Sequence, residues 1–445
     1  MLKKLLFILF AASCLWGDII YEKWDQLVEI DTKGQTVVID AILKAELQEN
    51  YYHNSWHFIF DSRSKVKILY VKVDGSPSNY NFTNNTLMIN IGKLFDDQRV
   101  KISIKYILLQ ENNNPFLLQE YVSLPDWLYN SEAYLKIITP KYYRCCSRHP
   151  RLNQNKYIFS WQGKVPRSGI TELFILTPEN KQWQFSQKIE IKGSRLNEGL
   201  TFYYPILFQT GATKTIKYST AFTPQPQEIN VSGNYHQLNF KDSNYMEIGI
   251  TAELETGKNQ NNYTLLQPDK FTYLTAQDKT ISQSLAKKII LDNVTSFLPK
   301  HVILAKWTHQ YIKYDLGYKD KKFSLSELLE KKRGVCGHYS QLYIALCRAA
   351  NIPAVEIQGY AYSITNIYEK PQWQPHSWVL VYADGKWQPV DPTWDLTNGT
   401  LPVSHIAFYY PHQTPYSYKA EKYYGQLFVN DNKITINEIQ NQLSK

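Results

Sequence analysis

A cysteine that could act as a nucleophile stands at the start of a predicted helix. Cys336 lies in Gly334-Val-Cys-Gly-His338, directly ahead of a segment whose apolar residues recur at helical spacing, Tyr339 to Ala350. The start of a helix is the positive end of its dipole, which lowers the pKa of a thiol and favours the reactive thiolate. Cys336 is therefore a candidate nucleophile. The alternative is a buried structural cysteine.

A histidine and an aspartate follow in a predicted β-hairpin. His376 begins an alternating segment, Asp384-Gly385 is a turn signal, and Asp391 ends the returning strand. With a two-residue turn, Trp378 pairs with Asp391, and His376 lies diagonal to Asp391 on the same face, roughly 7–8 Å away between backbones. A nucleophile, a base and an acid that orients the base are what covalent acyl transfer needs. The alternatives are a solvent-facing histidine and a simple Asp-Pro turn.

The segments around these residues resemble the transglutaminase-like core, a branch of the papain-like thiol enzymes. The matching segments are Gly-Val-Cys-Gly-His-Tyr-Ser (334–340), Ala-Leu-Cys-Arg-Ala-Ala-Asn-Ile-Pro-Ala (345–354), Gln-Gly-Tyr-Ala-Tyr (358–362), His-Ser-Trp-Val-Leu-Val-Tyr (376–382) and Trp-Gln-Pro-Val-Asp-Pro-Thr-Trp-Asp (387–395). The resemblance covers about residues 268–415. It implies that Cys336 is the nucleophile, His376 the base and Asp391 the orienting acid, with a protein or peptide substrate and neither a metal nor an organic cofactor.

Four aromatic residues are candidates for further roles in such a site. An oxyanion hole needs a donor besides the backbone N–H of the nucleophile, and members of this family often use a side chain upstream of it, which makes Trp307 a candidate. Tyr339, Trp378 and Trp394 are candidates for lining the substrate cleft. The alternative for all four is a place in the hydrophobic core.

The composition bounds what the rest of the chain can be. Its 445 residues can hold two to four domains, and 43% hydrophobic with 20% charged residues is typical of globular proteins. The net charge is +9, but no basic stripe with interleaved aromatics is present, so nucleic-acid binding is not predicted. Beyond the N-terminal segment no apolar run approaches 18 residues, so no membrane span is predicted.

The first 17 residues predict export. Lys3 and Lys4 precede a short apolar stretch, the pattern of a secretory signal, with cleavage after Gly17. An alternative is that Ala11-Ala-Ser-Cys14 is a lipoprotein box that leaves a lipid anchor on Cys14. In either case the protein is expected in the periplasm or cell envelope, where disulfides can form.

Three further cysteines remain in the exported chain. Cys145 and Cys146 are adjacent, and a bond between neighbours is strained, so a bridge, a metal site or no special role all remain open. Cys347 is predicted to be a small core residue.

Residues 18–185 predict an antiparallel β-sandwich, because short strand patterns alternate with turn signals and no helical stretch occurs. The segments 57–60, 66–75, 87–91 and 100–106 resemble the N-terminal β-domain of the gluzincin aminopeptidases, a likeness that extends to about residue 180. The chain has no His-Glu-x-x-His motif, so this likeness implies no zinc peptidase activity.

The remaining boundaries complete an α+β architecture. A second β-rich region covers 186–267, and a papain-like transglutaminase core covers 268–415, with helices at Ile281 to Leu291 and His301 to Tyr314 before the nucleophile. Residues 416–445 are a C-terminal tail. The predicted function is thiol-dependent acyl transfer on amide bonds, with a cysteine peptidase or amidase favoured over a protein crosslinker. The alternative is a non-catalytic envelope-binding or scaffold protein that uses its β-domains, and the oligomeric state stays open.

Overall fold

The computed structural model folds as two compact units, residues 1–176 and 177–445, which are described separately. The described residues are 17–32, 34–47, 52–60, 65–109, 116, 118–141, 143–147, 152–155, 157–167, 169–195, 200–205, 213–232, 235–240, 245–257, 267–293, 298–363, 372–409, 419–421 and 424–439. Residues 1–16 of the predicted signal segment, which include Cys14, lie outside the described residues.

The first unit is a β-sandwich, as the sequence predicts, and its described strand pairs are antiparallel except for β1 with β10, which is parallel. Its strands are β1 (Gly17–Asp31), β2 (Gly34–Leu47), β3 (His53–Ile59), β4 (Lys65–Val73), β5 (Ser76–Pro77), β6 (Tyr80–Thr83), β7 (Thr86–Leu94), β8 (Arg99–Leu109), β9 (Leu118–Leu124), β10 (Glu132–Ile138), β11 (Tyr143–Ser147), β12 (Asn153–Asn155), β13 (Ile158–Lys164) and β14 (Ile170–Pro178). An eight-stranded sheet, β12-β13-β10-β1-β2-β8-β4-β5, and two three-stranded sheets, β3-β7-β6 and β11-β14-β9, contribute alternate residues to one buried core.

The adjacent cysteines lie in this unit on β11. Cys145 and Cys146 are both buried. Burial, together with the neighbouring Cys145, raises the pKa of the Cys146 thiol well above its usual value. Both side chains therefore lie in the interior of this unit.

The second unit begins with strands that form two four-stranded sheets. They are β15 (Asn180–Arg195), β16 (Leu200–Pro205), β17 (Thr213–Thr223), β18 (Glu228–Ser232), β19 (Tyr235–Phe240) and β20 (Tyr245–Gly257), joined by β27 (Lys419–Glu421) and β28 (Tyr424–Glu438) from the end of the chain. The orders are β17-β20-β15-β28 and β18-β19-β16-β27. We call the first of these the support sheet.

Two predicted boundaries are corrected by this arrangement. The boundary between residues 185 and 186 falls inside β15, whose ladder with β20 runs without a break from Asn180 to Lys192. The predicted tail, 416–445, supplies β28, which pairs antiparallel with β15 from Trp183 to Arg195. The tail is therefore part of the support sheet, because β28 satisfies the backbone hydrogen bonds of an edge that β15 would otherwise expose.

Along the chain, the α+β core comes between β20 and β27. Its elements are α1 (Ala276–Asp292), α2 (Lys300–Tyr311), β21 (Lys313–Tyr314), α3 (Leu325–Lys331), β22 (Arg333–Gly334), α4 (Cys336–Ala349), β23 (Ala354–Tyr362), β24 (Trp373–Ala383), β25 (Lys386–Val390) and β26 (His405–Tyr409). Helix α4 is central: Leu342, Tyr343 and Leu346 are fully buried among α1, α2 and the antiparallel sheet β25-β24-β23-β26.

Two helices differ from the prediction. Helix α2 ends at Tyr311, whereas the sequence predicts that it continues to Tyr314. The difference arises because Lys313 and Tyr314 pair in parallel with Arg333 and Gly334 just before α4. Helix α3 was not predicted, although Ser324 and Glu327 form a capping box at its start. Short helices of this kind leave little periodic signal, so the cap is the only clear mark in the sequence.

Threonines near or within the support sheet hold the segment that leads into β26. The Thr177 hydroxyl accepts a hydrogen bond from the Val403 N–H at 2.9 Å, and the Thr256 hydroxyl donates one to the Val403 carbonyl. The Thr213 hydroxyl accepts from the Ala407 N–H at 3.0 Å. All three contacts are buried, so the support sheet fixes β26 from outside the core.

In the part of the chain that the structure describes, no helix has the length and apolar character needed to cross a bilayer.

Candidate active site

Cys336 is the first residue of α4, as expected for a cysteine at a helix start. Its position is fixed by His338, whose Nδ1 accepts a hydrogen bond from the Val335 N–H at 3.0 Å. The proton of this imidazole is therefore on Nε2, which donates to the Lys321 carbonyl at 3.0 Å. Gly334 is required beside it, since a Cβ there would lie 2.6 Å from the His338 Cβ. At Gly337 a Cβ would meet nothing within 4 Å, so the backbone next to the thiol is open.

The hairpin has the predicted register. Tyr382 pairs with Trp387 and Val379 with Val390, around a turn in which Asp384 and Gly385 both have positive φ. Asp391 follows directly and leaves the ladder.

His376 and Asp391 meet as the register predicts. His376 Nε2 donates to Asp391 Oδ2 at 2.8 Å, and both side chains are at most 1% exposed. The buried imidazole of His376 is therefore hydrogen-bonded to the buried carboxylate of Asp391.

The Asp391 carboxylate has four donors around it. Oδ2 accepts from His376 Nε2 and also from His405 Nε2, at 3.3 Å, while Oδ1 accepts from the backbone N–H of Thr393 at 2.9 Å and, more weakly, of Trp394 at 3.4 Å. Although burial opposes the charge, the two imidazoles outweigh it and hold the pKa of Asp391 well below its usual value. The carboxylate is therefore ionised and fixed in one orientation.

The thiol of Cys336 lies next to the other nitrogen of His376. Nδ1 is buried and has no other hydrogen-bond partner, so it is the atom that faces the thiol. Burial raises the pKa of Cys336, but the hydrogen bond and charge of His376, with the N–H of Ser377, lower it by more. Burial likewise opposes the charge on His376, yet Asp391 and Cys336 raise the pKa of its imidazole. These interactions therefore favour the thiolate–imidazolium form of the pair over the neutral form.

The three predicted cleft residues are all buried, and their role in a substrate cleft stays a prediction. Trp394 stacks face to face on His376, with ring centroids 4.1 Å apart. The ring of Trp378 also lies nearly parallel to the imidazole, with centroids 6.1 Å apart. Tyr339 donates its hydroxyl hydrogen bond to the Ile312 carbonyl at 2.6 Å. The two tryptophans enclose the imidazole and keep water from it, whereas Tyr339 anchors α4.

Trp307 is half-buried and stacks on Tyr311, with centroids 4.3 Å apart. Among the contacts of the described residues, none joins it to Cys336, so its oxyanion role stays a prediction. Its helix does hold the turn after Asp391: Lys306 pairs with Asp395 at 2.9 Å, and His309 Nδ1 lies 3.1 Å from the Thr393 carbonyl.

The sequence analysis missed His405. This residue is 2% exposed on β26, and its ring lies edge-on to both Trp378 and Trp394. Across the sheet, Gly359 pairs with His376 and Ala361 pairs with His405, so small residues on β23 leave room for both imidazoles to reach one carboxylate. The only signal in the sequence is a histidine that begins an apolar strand, which by itself indicates nothing.

The same three groups could in principle hold a metal ion, since the ligand atoms of His376, Asp391 and His405 lie within 4.8 Å of one another. Asp391 Oδ2 already accepts hydrogen bonds from both imidazoles. Hydrogen bonding therefore accounts for the cluster.

A cavity of about 460 Å³ lies on another face of α4, lined by residues that include Gln341, Arg348 and Glu356. It does not include the thiol, the imidazole or the carboxylate described above. Glu356 has its pKa raised by burial, although Ser377 donates a hydrogen bond to it.

Replacing Gly359 with alanine is expected to destabilise the second unit by about 1–3 kcal/mol, the cost of overpacking. A Cβ at this position would overlap the Ile406 carbonyl oxygen and lie 3.0 Å from Ala407 Cα, so β23 and β26 would have to separate. Urea unfolding monitored by circular dichroism tests this. Gly337→Ala, which has open space for a Cβ, is the matched control, and equal stability of the two variants would contradict the expectation.

Comparison with known proteins matches residues 283–392 to the transglutaminase-like superfamily. Kyphoscoliosis peptidase of Mus musculus is 27% identical over 117 residues, which are 23% of this chain and 17% of that protein. The uncharacterized protein YebA of Bacillus subtilis is 26% identical over 188 residues, 39% of this chain and 25% of that protein. The chain thus spans a quarter or less of the length of these curated relatives.

Solved structures are similar at a lower level. The crystal structure of a candidate cysteine protease from Cytophaga hutchinsonii has a TM-score of 0.42 and 18% identity, covering 60% of this chain and 93% of that one. An M1 zinc metallopeptidase from Deinococcus radiodurans has a TM-score of 0.25 and 8% identity, covering 40% and 43%. The family match contains Cys336, His376 and Asp391 and ends before His405. Residues 283–392 are therefore identified as a region that matches the transglutaminase-like superfamily.

Proposed function

We propose that the protein is an exported thiol enzyme that transfers acyl groups from amide bonds of proteins or peptides. The observation that carries the proposal is the buried His376–Asp391 pair, whose free Nδ1 faces a cysteine at the first position of a helix. A structural cysteine would need neither the imidazole nor the carboxylate behind it. The superfamily match supports the same chemistry.

The proposed reaction has two halves. The Cys336 thiolate attacks the amide carbonyl carbon, and the His376 imidazolium gives its proton to the leaving amine as the C–N bond breaks, which leaves a thioester. Water or an amine then attacks the thioester carbon, and His376 takes a proton from it while the thiolate leaves. Asp391 accepts the Nε2–H throughout and stabilises the charged imidazole, but it is not itself protonated.

One oxyanion donor follows from the position of the thiol. The first N–H groups of a helix have no partner within the helix, so the N–H of Cys336 is available to the carbonyl oxygen as it becomes negative. Trp307 is the second donor proposed from the family resemblance.

Hydrolysis is favoured over crosslinking in this proposal. A peptide library with a fluorescent primary amine present separates the two, because a peptidase releases new amino termini and a crosslinking enzyme attaches the amine to the peptide. Incorporation of the amine without new termini would replace the peptidase assignment by a transferase.

The thiolate itself can be tested without a substrate. Iodoacetamide alkylation of Cys336 is expected to stay fast well below the free-thiol pKa of about 8.5, because His376 stabilises the thiolate, and to become slow in His376→Ala. The rate falls on the acid side as the thiolate gains a proton. Mass spectrometry locates the label on each cysteine as a function of pH.

Cys347 is an internal control in that measurement, because it is buried on the same helix and burial raises its pKa to about 12. It should remain unlabelled in the folded protein. A Cys336 rate that rises only near pH 8.5, equal in wild type and His376→Ala, would overturn the proposed enzyme.

Export is proposed from the charge and apolar pattern of residues 1–17 alone. The mass of the protein recovered from the cell envelope of its host should correspond to cleavage after Gly17, or to a lipid on Cys14. Recovery of the whole sequence from the cytosol would contradict export.

A further inference from the structure

His405 places a second imidazole on the carboxylate of the candidate triad. Its Nε2 lies 3.3 Å from Asp391 Oδ2, and the side chain is 1% exposed. An ionised carboxylate can only accept hydrogen bonds, so His405 must carry its proton on Nε2 and donate. The two histidines thus share one oxygen atom, each through Nε2.

The two imidazoles differ in charge. Burial lowers the pKa of His405, and the charge of His376 adds to that, so Asp391 does not bring it above its usual value. The pKa of His376 is raised, by Asp391 and Cys336. Near neutral pH, His405 is a neutral donor beside a charged one.

The surroundings of His405 hold it in that role. Trp378 and Trp394 contact the ring edge-on, at centroid distances of 5.2 and 5.4 Å. Its strand is fixed from behind by the buried threonine contacts of Val403 and Ala407. The ring therefore cannot turn away from Asp391 without disturbing two strands and both tryptophans.

We propose that His405 is a positioning residue: by donating to Asp391 Oδ2 it fixes the carboxylate orientation that keeps His376 aimed at Cys336. This inference rests on the proposed function. Without the His405 donor, Oδ2 would lose one of its two partners and the carboxylate could rotate away from His376. The thiolate would then be less stabilised, although His405 does not touch it.

The titratable groups that face this cluster are few among the described residues. His376 on β24 and Asp391 after β25 interact with His405, Cys336 on α4 interacts with both of them, and Tyr339 on α4 interacts with Asp391. At the turn beyond Asp391, Lys306 and Asp395 pair with each other. Burial, with the charge of Asp391, raises the pKa of Tyr339, so its phenol stays neutral throughout the range tested. A change in the alkylation profile after mutation of His405 therefore reports on the thiol, imidazole and carboxylate.

The test compares iodoacetamide alkylation of Cys336 against pH in variants of the full chain. His405→Phe keeps a ring between the tryptophans but has no donor, and we expect its rate near pH 6 to fall about tenfold or more, the effect of losing one hydrogen bond to a charged group. The acid limb of the profile should move to higher pH. His405→Gln, whose amide can donate to Oδ2, should recover most of the wild-type rate.

A second pair of variants protects the test against misfolding. His405→Met and His405→Gln have similar size and both lack the ring, so they differ mainly in the donor. If Gln and Met behave alike, or if Phe keeps the wild-type profile, His405 has no positioning role. Failure of the proposed function is a different outcome: wild type and His376→Ala would then already have the same profile.

Discussion

Replacing Cys336 with alanine is expected to abolish acyl transfer, a loss of at least 10⁴-fold on any amide substrate, because no other described group near His376 can form the covalent intermediate. The fold should survive, since the side chain is only partly buried at a helix start. Circular dichroism and thermal unfolding would show this. Loss of the thiolate also leaves the His376 imidazole with Asp391 as its only ionic partner, so its pKa should fall.

Two variants sharpen that experiment. Cys336→Ser keeps the size and a hydroxyl but should be inactive, because a serine hydroxyl is not ionised and an imidazolium has no free nitrogen lone pair to take its proton. Cys347→Ala removes the other cysteine of the same helix, which lies in the core, and should lower stability while acyl transfer persists. Activity that survives in Cys336→Ala would place the chemistry elsewhere in the molecule.

Replacing Asp391 with asparagine is expected to reduce activity by about 10²- to 10⁴-fold. Both carboxylate oxygens accept hydrogen bonds, from imidazoles on one side and from backbone N–H groups on the other. An asparagine has one acceptor and one donor, so either the amide N–H₂ opposes the Thr393 N–H or it opposes His376 Nε2. The second choice forces the wrong tautomer on His376, and both leave the imidazolium without its counter-charge.

Stability should fall with activity in this variant, by about 3–5 kcal/mol, because removing one partner of a buried ion pair leaves the other uncompensated. The two pKa shifts make the free energy of unfolding depend on pH in opposite directions. Because the pKa of Asp391 is lowered in the folded protein, its contribution to stability is lost as the pH falls through that folded-state pKa. Because the pKa of His376 is raised, its contribution is lost as the pH rises through that folded-state pKa. Both dependences should weaken in Asp391→Asn.

Asp384→Asn is the matched control for that variant. It also removes one carboxylate from the same hairpin, but at the turn, where φ is positive and asparagine is as well tolerated as aspartate. Its activity and urea midpoint should match the wild type. If Asp391→Asn behaves like Asp384→Asn, the carboxylate has no role in the reaction.

The local parts of the fold and site could be predicted from the sequence. Asp384-Gly385 fixes the turn, the turn fixes the register, and the register brings Asp391 to His376. The start of α4 was clear in the same way, because periodicity and Gly334 mark it within a few residues. These features depend on short-range geometry that a sequence pattern carries directly.

Contacts between distant segments could not be predicted. The pairing of β28 with β15 joins residues about 240 positions apart, and neither strand has a pattern that specifies the other. His405 was missed for a related reason: its partner Asp391 already had a histidine, and the room for a second one comes from Gly359 and Ala361 on a strand between them. The burial of Trp378 and Trp394 depends on the same arrangement.

The pairing of β28 with β15 also bears on the order in which the molecule can fold. The whole core, with its thiol, imidazole and carboxylate, is a loop between these two strands, and closing a loop of that length carries a large entropic cost before any contact is gained. We therefore expect β28 to join the support sheet late. Thr256 and Thr213, which hold Val403 and Ala407, lie on β20 and β17, two strands that pair with each other and do not need β28. A newly made chain would thus pass through a stage in which the core is held in place while one edge of β15 is still unpaired. An open strand edge is a template for pairing with another chain, so this stage is where aggregation would compete with folding.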